Sequence, residues 1–378
     1  MVRRDASVLV VAGEASADMH GARVVRKLEE LAPGTSAFGV GGDRLAAAGM
    51  EIVEHADSFS VIGFVEVVRH IPRLKAAMDR LVRLAVERRT PLALLIDYPG
   101  FNLMLAKRLK AAGVRVLYYV SPQVWAWGEG RVRAIAERVD RMAVVFEFER
   151  EFYRERGVEV EFVGHPLLEE PRLARPRTPR KAGEAPLLGL LPGSRWQEVE
   201  RHLPVMLGAA EALVRDVPGL AVALGRAPGI AGGSLDGILR ASELVVELVP
   251  PEATYDLMLR ADALLVSSGT ATLEAACAGA PMAVVYRVSP LSYAIARTLV
   301  RTRHIALVNI VAGEEVVPEL IQGRLTVARL AESARPFLTD AERARGVTER
   351  LRAVRERLGT PGASERVARM ALRMIDEA

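Results

Sequence analysis

Short apolar runs alternate with longer stretches of helical periodicity along nearly the whole 378-residue chain. This alternation is typical of βαβ units, in which parallel strands are buried beneath helices. In the first half, the runs that we predict as strands are Ser7–Ala12, Ala93–Asp97, Arg115–Val120 and Arg141–Phe146. In the second half, they are Leu187–Leu191, Leu220–Leu224, Ala263–Val266 and Met282–Tyr286. The pattern therefore predicts open α/β sheets in both halves.

The segment at residues 171–186, near the middle of the chain, interrupts the alternation. It combines four prolines with many cations and has no apolar periodicity, which is typical of a linker. At ~150 residues per domain, the chain length also suggests two domains. The C-terminal part is charged and helical, and we expect it to pack on the first domain or on a partner subunit, which leaves a homodimer open. The expected divisions are an α/β domain (1–170), a linker (171–186), a second α/β domain (187–340) and C-terminal helices (341–378).

Composition excludes several classes of protein. Half of the residues are hydrophobic and 26% are charged, as in globular rather than disordered chains. No run of about 18 apolar residues exists, so we expect no membrane-spanning helix. The apolar run near the start is soon followed by Glu14 and Asp18, and we interpret it as a strand rather than a signal peptide. The net charge of +4 indicates no partner by itself, and we expect no nucleic acid.

The cysteine and histidine content limits redox and metal chemistry. The single cysteine, Cys277, cannot form an internal disulfide, which fits a reducing, cytoplasmic setting. Six scattered histidines offer no paired-ligand spacing, so we expect no metal site.

Two loops in the second half have the composition of phosphate-binding loops. Each follows a predicted strand and precedes a helix, whose first N–H groups favour an anion. The first contributes Gly193, Ser194 and Arg195, and the second contributes Ser268, Gly269, Thr270, Ala271 and Thr272. Glu274 follows one helical turn later, where a carboxylate can accept both hydroxyls of a ribose. Either loop alone fits an ordinary turn or helix cap, but together they indicate a nucleoside diphosphate site.

The nucleotide is not expected to be ATP or NAD. The chain has no Gly-x4-Gly-Lys-Ser/Thr sequence, and the segment Gly39–Arg44 lacks the third glycine of a dinucleotide-binding fingerprint. We therefore expect no cofactor.

Acidic side chains follow two strands of the first half. Glu14, Ser16 and Asp18 lie in a small-residue loop after the first strand, and Asp97 ends an apolar strand. An Asp that emerges from a buried strand is a candidate general base, since burial raises its pKa. Helix capping is the alternative for Ser16, Asp18 and Asp97. The base therefore stays open among Asp97, Glu14 and Asp18.

Two apolar segments of the first half suit sugars or acyl chains. Trp125 and Trp127 lie on one loop, and the segment Val61–Leu74 is apolar with interspersed basic residues. The tryptophans can stack on a sugar, and the segment can lie on a membrane. Core packing and a buried helix are the respective alternatives.

These motifs together resemble the lipid-A-disaccharide synthases, which are similar to two-domain inverting glycosyltransferases of the GT-B type. The resemblance runs in the same order from about Val8 to Leu330. The matching segments are Ala12–Ser16, Gly39–Gly42, Val61–Val67, Ile96–Asp97, Phe101–Asn102, Tyr119–Pro122, Val124–Trp127, Val163–Pro166, Leu190–Arg195, Glu198–Val199, Ser268–Glu274, Asn309, Glu319–Leu320 and Gln322.

The resemblance implies a fold and a reaction. The fold would be two Rossmann-like doubly wound domains that face each other across a cleft, with a C-terminal helical tail. The first domain would take 2,3-diacylglucosamine 1-phosphate, and the second would hold UDP-2,3-diacylglucosamine. The products would be the β-1,6-linked disaccharide 1-phosphate and UDP. Because both substrates carry acyl chains, the enzyme would work as a cytoplasmic protein bound peripherally to the inner membrane face.

The resemblance also implies roles for individual residues. Asp97 would deprotonate the acceptor 6-hydroxyl, while Arg195 and the helix N-terminus at Gly269–Thr272 would stabilise the departing diphosphate. Asn309 would belong to the donor site, and Asn102 would join the first-domain loop residues at the acceptor site. No metal is needed if these donors supply the positive charge.

Three positions depart from the family pattern. Gly100 stands where a second acid is usual, Ala17 replaces a glycine and Glu147 replaces a proline. The missing acid at Gly100 bears on acceptor handling, so three alternatives stay open. They are a related glycosyltransferase with another acceptor, a UDP-sugar epimerase and a non-catalytic binding protein.

Overall fold

A computed structural model describes residues 6–58, 64–126, 129–178, 180, 183–299 and 302–377. The chain divides into two compact units, of which the first comprises Met1–Pro166 with Gly359–Ala378 and the second comprises Leu167–Leu358. In the described residues, each unit is a parallel sheet with helices packed on it, which confirms the predicted α/β class.

The sheet of the first unit has seven described strands in the order β3-β2-β1-β4-β5-β6-β7, all parallel. The strands are β1 (Ser7–Ala12), β2 (Ser36–Gly41), β3 (Glu51–His55), β4 (Leu92–Ile96), β5 (Arg115–Tyr119), β6 (Arg141–Val144) and β7 (Val160–Phe162). The central strands β1 and β4 are continuous apolar runs, because helices cover both faces of a parallel sheet. The strand order reverses between them, with Ala12 opposite Ile96. The loops that follow β1 and β4 therefore emerge side by side at the switch point.

Helices between these strands complete the first unit. They are α1 (Ala15–Leu31), α2 (Asp43–Ala47), α3 (Phe64–Glu87), α4 (Pro99–Ala111), α5 (Val132–Arg138) and α6 (Glu147–Arg154). The core on one face of the sheet joins Leu9, Leu95 and Tyr118 to Leu81 of α3 and Leu105 of α4. Pro99 starts α4, a position where the missing N–H of proline costs nothing.

The second unit has six described strands in the order β10-β9-β8-β11-β12-β13, again all parallel. The strands are β8 (Leu187–Leu191), β9 (Ala221–Gly225), β10 (Val246–Val249), β11 (Ala263–Ser267), β12 (Met282–Tyr286) and β13 (Glu319–Ile321). Leu191 lies opposite Val266 at the switch point between β8 and β11. The two glycine loops predicted from the sequence follow these two neighbouring strands.

Eight helices in the described part of the chain belong to the second unit. They are α7 (Trp196–Asp216), α8 (Asp236–Arg240), α9 (Thr254–Arg260), α10 (Thr270–Cys277), α11 (Pro290–Leu299), α12 (Leu307–Ala312), α13 (Val327–Thr339) and α14 (Ala341–Arg357). Leu203 and Met206 of α7 pack with Leu190 and Leu265 of the sheet, and Phe337 of α13 completes the same core.

The unit boundaries differ from those expected. The second unit begins at Leu167, because the proline-rich segment is bound to α9 instead of crossing freely between domains. Arg172 donates to the Glu252 carbonyl at 2.7 Å and lies over the Tyr255 ring, and Arg175 pairs with Asp256 at 2.9 Å. The described residues of the expected linker (171–186) thus belong to the second unit, where two of its arginines contact residues at or near α9.

The two C-terminal helices belong to different units. The helix α14 packs on α10 and α12, and Thr348 donates to the Gly279 carbonyl at 3.1 Å. The last helix, α15 (Ala363–Asp376), packs on α1, with Arg366 donating to the Val163 carbonyl at 2.8 Å. Within the described residues, both helices therefore pack on their own chain.

Among the helices of the described ranges, none combines the length and the apolar character that crossing a bilayer requires.

Candidate functional site

Asp97 lies immediately after β4 in a strained backbone. Both Asp97 and Tyr98 have a φ of 48°, in the left-handed region that non-glycine residues rarely adopt. Two such residues in succession cost about 1–3 kcal/mol each, and they persist only where neighbouring groups hold them. Strain of this kind concentrates at functional sites, and here it coincides with the base predicted from the sequence.

Hydrogen bonds to the backbone hold Asp97 in this conformation. The Asn102 side-chain amide donates to the Asp97 carbonyl at 2.7 Å and to the Ile96 carbonyl at 3.2 Å. The Tyr118 hydroxyl donates to the same Asp97 carbonyl at 2.5 Å, and the Asp97 N–H donates to the Tyr119 carbonyl. Asn102 is fully buried and supports the backbone at Asp97, and its expected place at the acceptor site stays a prediction.

The environment of Asp97 favours a proton acceptor that works near neutral pH. Burial raises the pKa of Asp97 to about 6, the charge of Glu14 adds to the rise, and a backbone hydrogen bond at Tyr98 opposes it. Glu14 is exposed in the loop after β1, the strand next to β4. The Tyr98 ring lies so close to Gly13 that a Cβ there would be 2.8 Å from a ring carbon. These two strand ends thus bring Asp97 and Glu14 together.

The other two acidic-loop residues differ in what they contact. Ser16 is exposed on the first turn of α1. Asp18 is buried, and its carboxylate accepts backbone N–H groups of Gly42 at 2.6 Å, Arg44 at 3.1 Å and Leu45 at 3.2 Å. Asp18 therefore caps the start of α2, and its expected role in the acceptor loop stays a prediction.

Sequence reasoning missed Glu149, which is buried on the first turn of α6. Its carboxylate accepts the Ser121 hydroxyl at 2.7 Å, the Trp125 indole N–H at 2.9 Å and the Phe146 N–H at 3.2 Å. Burial raises the pKa of Glu149 to about 7, against the opposing effect of these hydrogen bonds. Glu149 thus fixes the loop that carries Trp125. Trp127 and residues 61–63 lie outside the described residues.

Two histidines of the first unit also escaped sequence analysis. Burial lowers the pKa of His20 to about 3, and the charges of Arg23, Arg44 and, in acid, protonated His165 add to the fall. Burial likewise lowers the pKa of His165 to about 4. Both imidazoles are therefore neutral near pH 7, and they add polar groups to the carboxyl edge of the sheet without adding charge.

The first glycine loop of the second unit closes onto Glu198 of α7. Gly193 has a φ of 132°, and a Cβ there would lie 2.5 Å from a Glu198 carboxylate oxygen. That carboxylate accepts the N–H groups of Ser194 at 3.0 Å and Arg195 at 3.4 Å. These are the donors that the sequence assigned to phosphate, and in the free protein a side-chain anion occupies them. The Arg195 side chain, 78% exposed, is accessible to a ligand.

In the second glycine loop, two of the hydroxyl groups donate hydrogen bonds to backbone carbonyls. Ser268 donates to the Ile305 carbonyl at 3.2 Å, and the Thr272 hydroxyl donates to the Gly269 carbonyl at 2.8 Å. Thr270 is exposed at the start of α10, and Ala271 is half-buried beside it. The first turn of α10 and the Thr270 hydroxyl therefore fit an anion better than Ser268 and Thr272 do.

Glu274 lies one turn further along α10 and is partly buried. Burial raises the pKa of Glu274 to about 7. A hydrogen bond with the Tyr255 side chain opposes the rise, Glu170 adds to it and Arg172 opposes it. Such a carboxyl group is available to exchange a tyrosine partner for a ligand hydroxyl.

Asn309, which the resemblance assigned to the donor site, is fully buried in α12. Its amide nitrogen donates to the Val317 carbonyl and to Glu319, both at 2.8 Å, and its oxygen accepts the Val316 and Val317 N–H groups. These four bonds use the full capacity of a buried amide. Asn309 thus holds the segment that follows α12, and its expected place in the donor site stays a prediction.

Within the ranges that the structure describes, no three His, Cys, Asp or Glu side chains converge as metal ligands.

Comparisons with known proteins cover nearly the entire chain. A family model described as lipid-A-disaccharide synthetase matches residues 8–372. The lipid-A-disaccharide synthase of Geobacter metallireducens is 45% identical over 373 residues, which is 97% of each chain. That of Nitrosococcus oceani is 41% identical over 374 residues, covering 98% of this chain and 96% of the relative.

Solved structures share the fold at low sequence identity. A putative UDP-N-acetylglucosamine 2-epimerase from Listeria monocytogenes has a TM-score of 0.67 and 11% identity, covering 98% of this chain and 97% of its own. The calicheamicin glycosyltransferase CalG4 has a TM-score of 0.61 and 17% identity over 99% of both chains. These likenesses concern the fold alone, and they confirm the GT-B type that the sequence resemblance implied.

Proposed function

The chain belongs to the lipid-A-disaccharide synthase family, whose members are glycosyltransferases of lipid A synthesis, and from this premise we propose how its residues divide the reaction. The reaction condenses UDP-2,3-diacylglucosamine with 2,3-diacylglucosamine 1-phosphate to give the β-1,6-linked disaccharide 1-phosphate and UDP. The observation that carries the assignment of residues is the acid after β4, whose pKa of about 6 suits a general base.

On the acceptor side, Asp97 is the general base. The acceptor 6-hydroxyl oxygen attacks the anomeric carbon of the donor while its proton passes to the Asp97 carboxylate. The bond between the anomeric carbon and the diphosphate breaks, and its electron pair leaves with UDP. A carboxylate with a pKa near 6 is largely ionised at neutral pH and is more basic than an ordinary Asp. The backbone bonds from Asn102 and Tyr118 keep it in place.

On the donor side, Arg195 and the start of α10 stabilise the charge that develops on the leaving diphosphate. The exposed guanidinium of Arg195 provides bidentate donors, and the first N–H groups of α10 with the Thr270 hydroxyl provide neutral ones. Glu274 accepts the ribose hydroxyls. Gly193 allows close approach of the loop, and Glu198 releases Ser194 and Arg195 N–H groups when the diphosphate binds.

We also propose that the enzyme acts peripherally at the cytoplasmic face of the inner membrane. Both substrates of the proposed reaction carry acyl chains, and the pI of about 9.4 favours attraction to anionic lipid. Co-sedimentation with vesicles that contain anionic lipid tests this, and binding should fall as the salt concentration rises. Equal binding to neutral vesicles would contradict the electrostatic part of the proposal.

The decisive experiment measures UDP release from UDP-2,3-diacylglucosamine in detergent, with and without 2,3-diacylglucosamine 1-phosphate. We expect release only with acceptor, and a disaccharide 1-phosphate in the mass spectrum. EDTA should leave the rate unchanged, since Arg195 and the α10 N-terminus supply the positive charge. Release of UDP without acceptor would instead indicate hydrolysis or epimerisation. UDP binding without turnover would indicate another acceptor, in line with Gly100 replacing the usual acid.

A further inference from the structure

A buried histidine of α7, His202, uses both ring nitrogens. Its Nδ1 lies 2.9 Å from the Pro192 carbonyl oxygen, and its Nε2 lies 2.9 Å from the Arg287 backbone nitrogen. The Arg287 N–H can only donate, so Nε2 accepts and the proton is on Nδ1, which donates to Pro192. One neutral tautomer therefore satisfies both partners.

The two partners of His202 lie on strands that do not pair with each other. Pro192 follows β8 and Arg287 follows β12, while β11 lies between these strands and pairs with both. The imidazole therefore bridges the carboxyl ends of β8 and β12 across the end of β11. This is the edge of the sheet from which both glycine loops emerge.

Each end of the bridge is connected to the proposed diphosphate site. Pro192 directly precedes Gly193–Arg195, and because proline has no N–H, its carbonyl is the backbone group through which residue 192 can be held. Tyr286, next to Arg287, is close enough to Glu198 and Arg195 for both charges to influence its pKa. Arg287 is itself anchored by the segment that follows β13, since its guanidinium donates to the Gln322 carbonyl at 3.4 Å.

We propose that His202 is a positioning residue for donor binding. His202 holds the Pro192–Arg195 loop in the conformation that presents Arg195 to the diphosphate. The inference rests on the proposed function of that loop. Loss of the bridge frees the Pro192 carbonyl and leaves the loop fixed mainly by Glu198, which the diphosphate displaces. His202 therefore raises the affinity for UDP by ordering the loop before the ligand arrives.

The bridge also makes donor binding depend on pH. Protonation of Nε2 would place two donors face to face, the imidazolium and the Arg287 N–H. Burial lowers the pKa of His202, the hydrogen bonds to Pro192 and Arg287 and the charge of Glu198 oppose the fall, and the charge of Arg287 adds to it. The neutral, bridging form is thus present at neutral pH and is lost as the pH falls through this lowered pKa.

The test replaces His202 by residues that keep one half of the bridge. In His202→Asn, the amide nitrogen can take the place of Nδ1 and keep the bond to Pro192. In His202→Gln, the amide oxygen can take the place of Nε2 and keep the bond to Arg287, while His202→Leu removes both. We expect UDP affinity within about threefold of wild type for Asn and a loss of about tenfold for Gln and Leu, from one buried hydrogen bond. Calorimetric titration with UDP measures these values, and His55→Asn on exposed β3 is the control.

Donor kinetics and pH separate positioning from simple packing. The KM for the donor should rise in His202→Gln, while kcat at saturating donor stays within about twofold of wild type, since Asp97 is untouched. Acidification should weaken UDP binding more in wild type than in His202→Asn, which has no titrating ring. Equal losses of affinity in Asn, Gln and Leu variants would reduce His202 to a packing residue and overturn the inference. Unchanged affinity in His202→Gln would overturn it as well, whereas failure of wild type to bind UDP would overturn the proposed function first.

Discussion

The two units present side chains of opposite charge at the carboxyl edges of their sheets. After β4 of the first unit, a carboxylate is held in a strained backbone, and burial raises its pKa to about 6. After β8 of the second unit, the cation of Arg195 is exposed on a glycine loop. Under the proposed function, the first site would gain reactivity from its surroundings, whereas the second would gain affinity from a charge that is always present. Substitutions should therefore affect turnover in the first unit and binding in the second.

The largest expected effect tests the acid of the first unit. Asp97→Asn keeps the shape of the side chain but cannot accept the proton, and general base catalysis contributes ~10²–10⁴-fold to a rate. We expect kcat to fall by about 10³-fold while UDP affinity stays within about twofold of wild type. Steady-state kinetics and calorimetry measure the two quantities. Turnover that survives in Asp97→Asn would exclude this residue as the base.

The second effect concerns the exposed cation. Arg195→Ala should weaken UDP binding by about 10- to 100-fold, because a hydrogen bond to a charged group contributes ~1.5–3 kcal/mol. Arg195→Lys should recover only part of the affinity, since an ammonium group lacks the bidentate geometry of arginine. The pH profile of kcat should keep its wild-type midpoint in both variants. Full recovery by Lys would show that charge alone suffices at this loop.

The third effect is the pH dependence of turnover. A general base must be ionised, so kcat/KM should fall about tenfold per unit as the pH drops below about 6, the pKa of Asp97. At higher pH the base is already ionised, and its contribution should level off. Rates from pH 4.5 to 8 with saturating acceptor provide the profile, after confirmation that the protein stays folded across this range. A rate that rises on acidification would contradict the assigned role.

The smallest effect concerns the neighbour that helps to raise the pKa of Asp97. Glu14→Gln removes a negative charge, so Asp97 should ionise more easily and the acidic limb of the profile should move to lower pH. Ser16→Ala, an exposed position two residues further along on the first turn of α1, is the matched control and should leave the limb in place. The same shift in both variants would assign the effect to loop structure and not to the charge of Glu14.

Most of the buried central strands were predicted, whereas the edge strands and the buried interior strand β2 (Ser36–Gly41) were missed. Ser7–Ala12 and Leu187–Leu191 were predicted with the bounds that the structure has, because central strands are continuous apolar runs. The edge strands β3 and β10 have exposed or half-buried residues and charged positions, so their sequences lack that signal. β13 was missed because it has only three residues.

The positions of the candidate site residues in the chain could be predicted, but their hydrogen-bond partners could not. The sequence placed Asp97 at a strand end, where its pKa was expected to rise. It could not show that Asn102, Asp18 and Asn309 satisfy backbone groups, because these partners are brought together only by the fold. Glu149 and His202 were missed for a related reason. Each lies in a helix among charged residues, and the sequence alone gives no indication that it is buried.

The position of α15 in the chain affects how the first unit folds during synthesis. The chain leaves the first unit at Pro166 and returns to it at Gly359, and α15 then buries residues such as Val367 and Met370. During synthesis, the face of α1 on which α15 packs stays uncovered while the whole second unit is translated, which takes on the order of ten seconds at ordinary ribosome speeds. A nascent chain that stops short of α15 would carry a finished second unit and a first unit whose α1 face is uncovered. Such truncated products should be recognised by chaperones and proteases through the first unit and not the second.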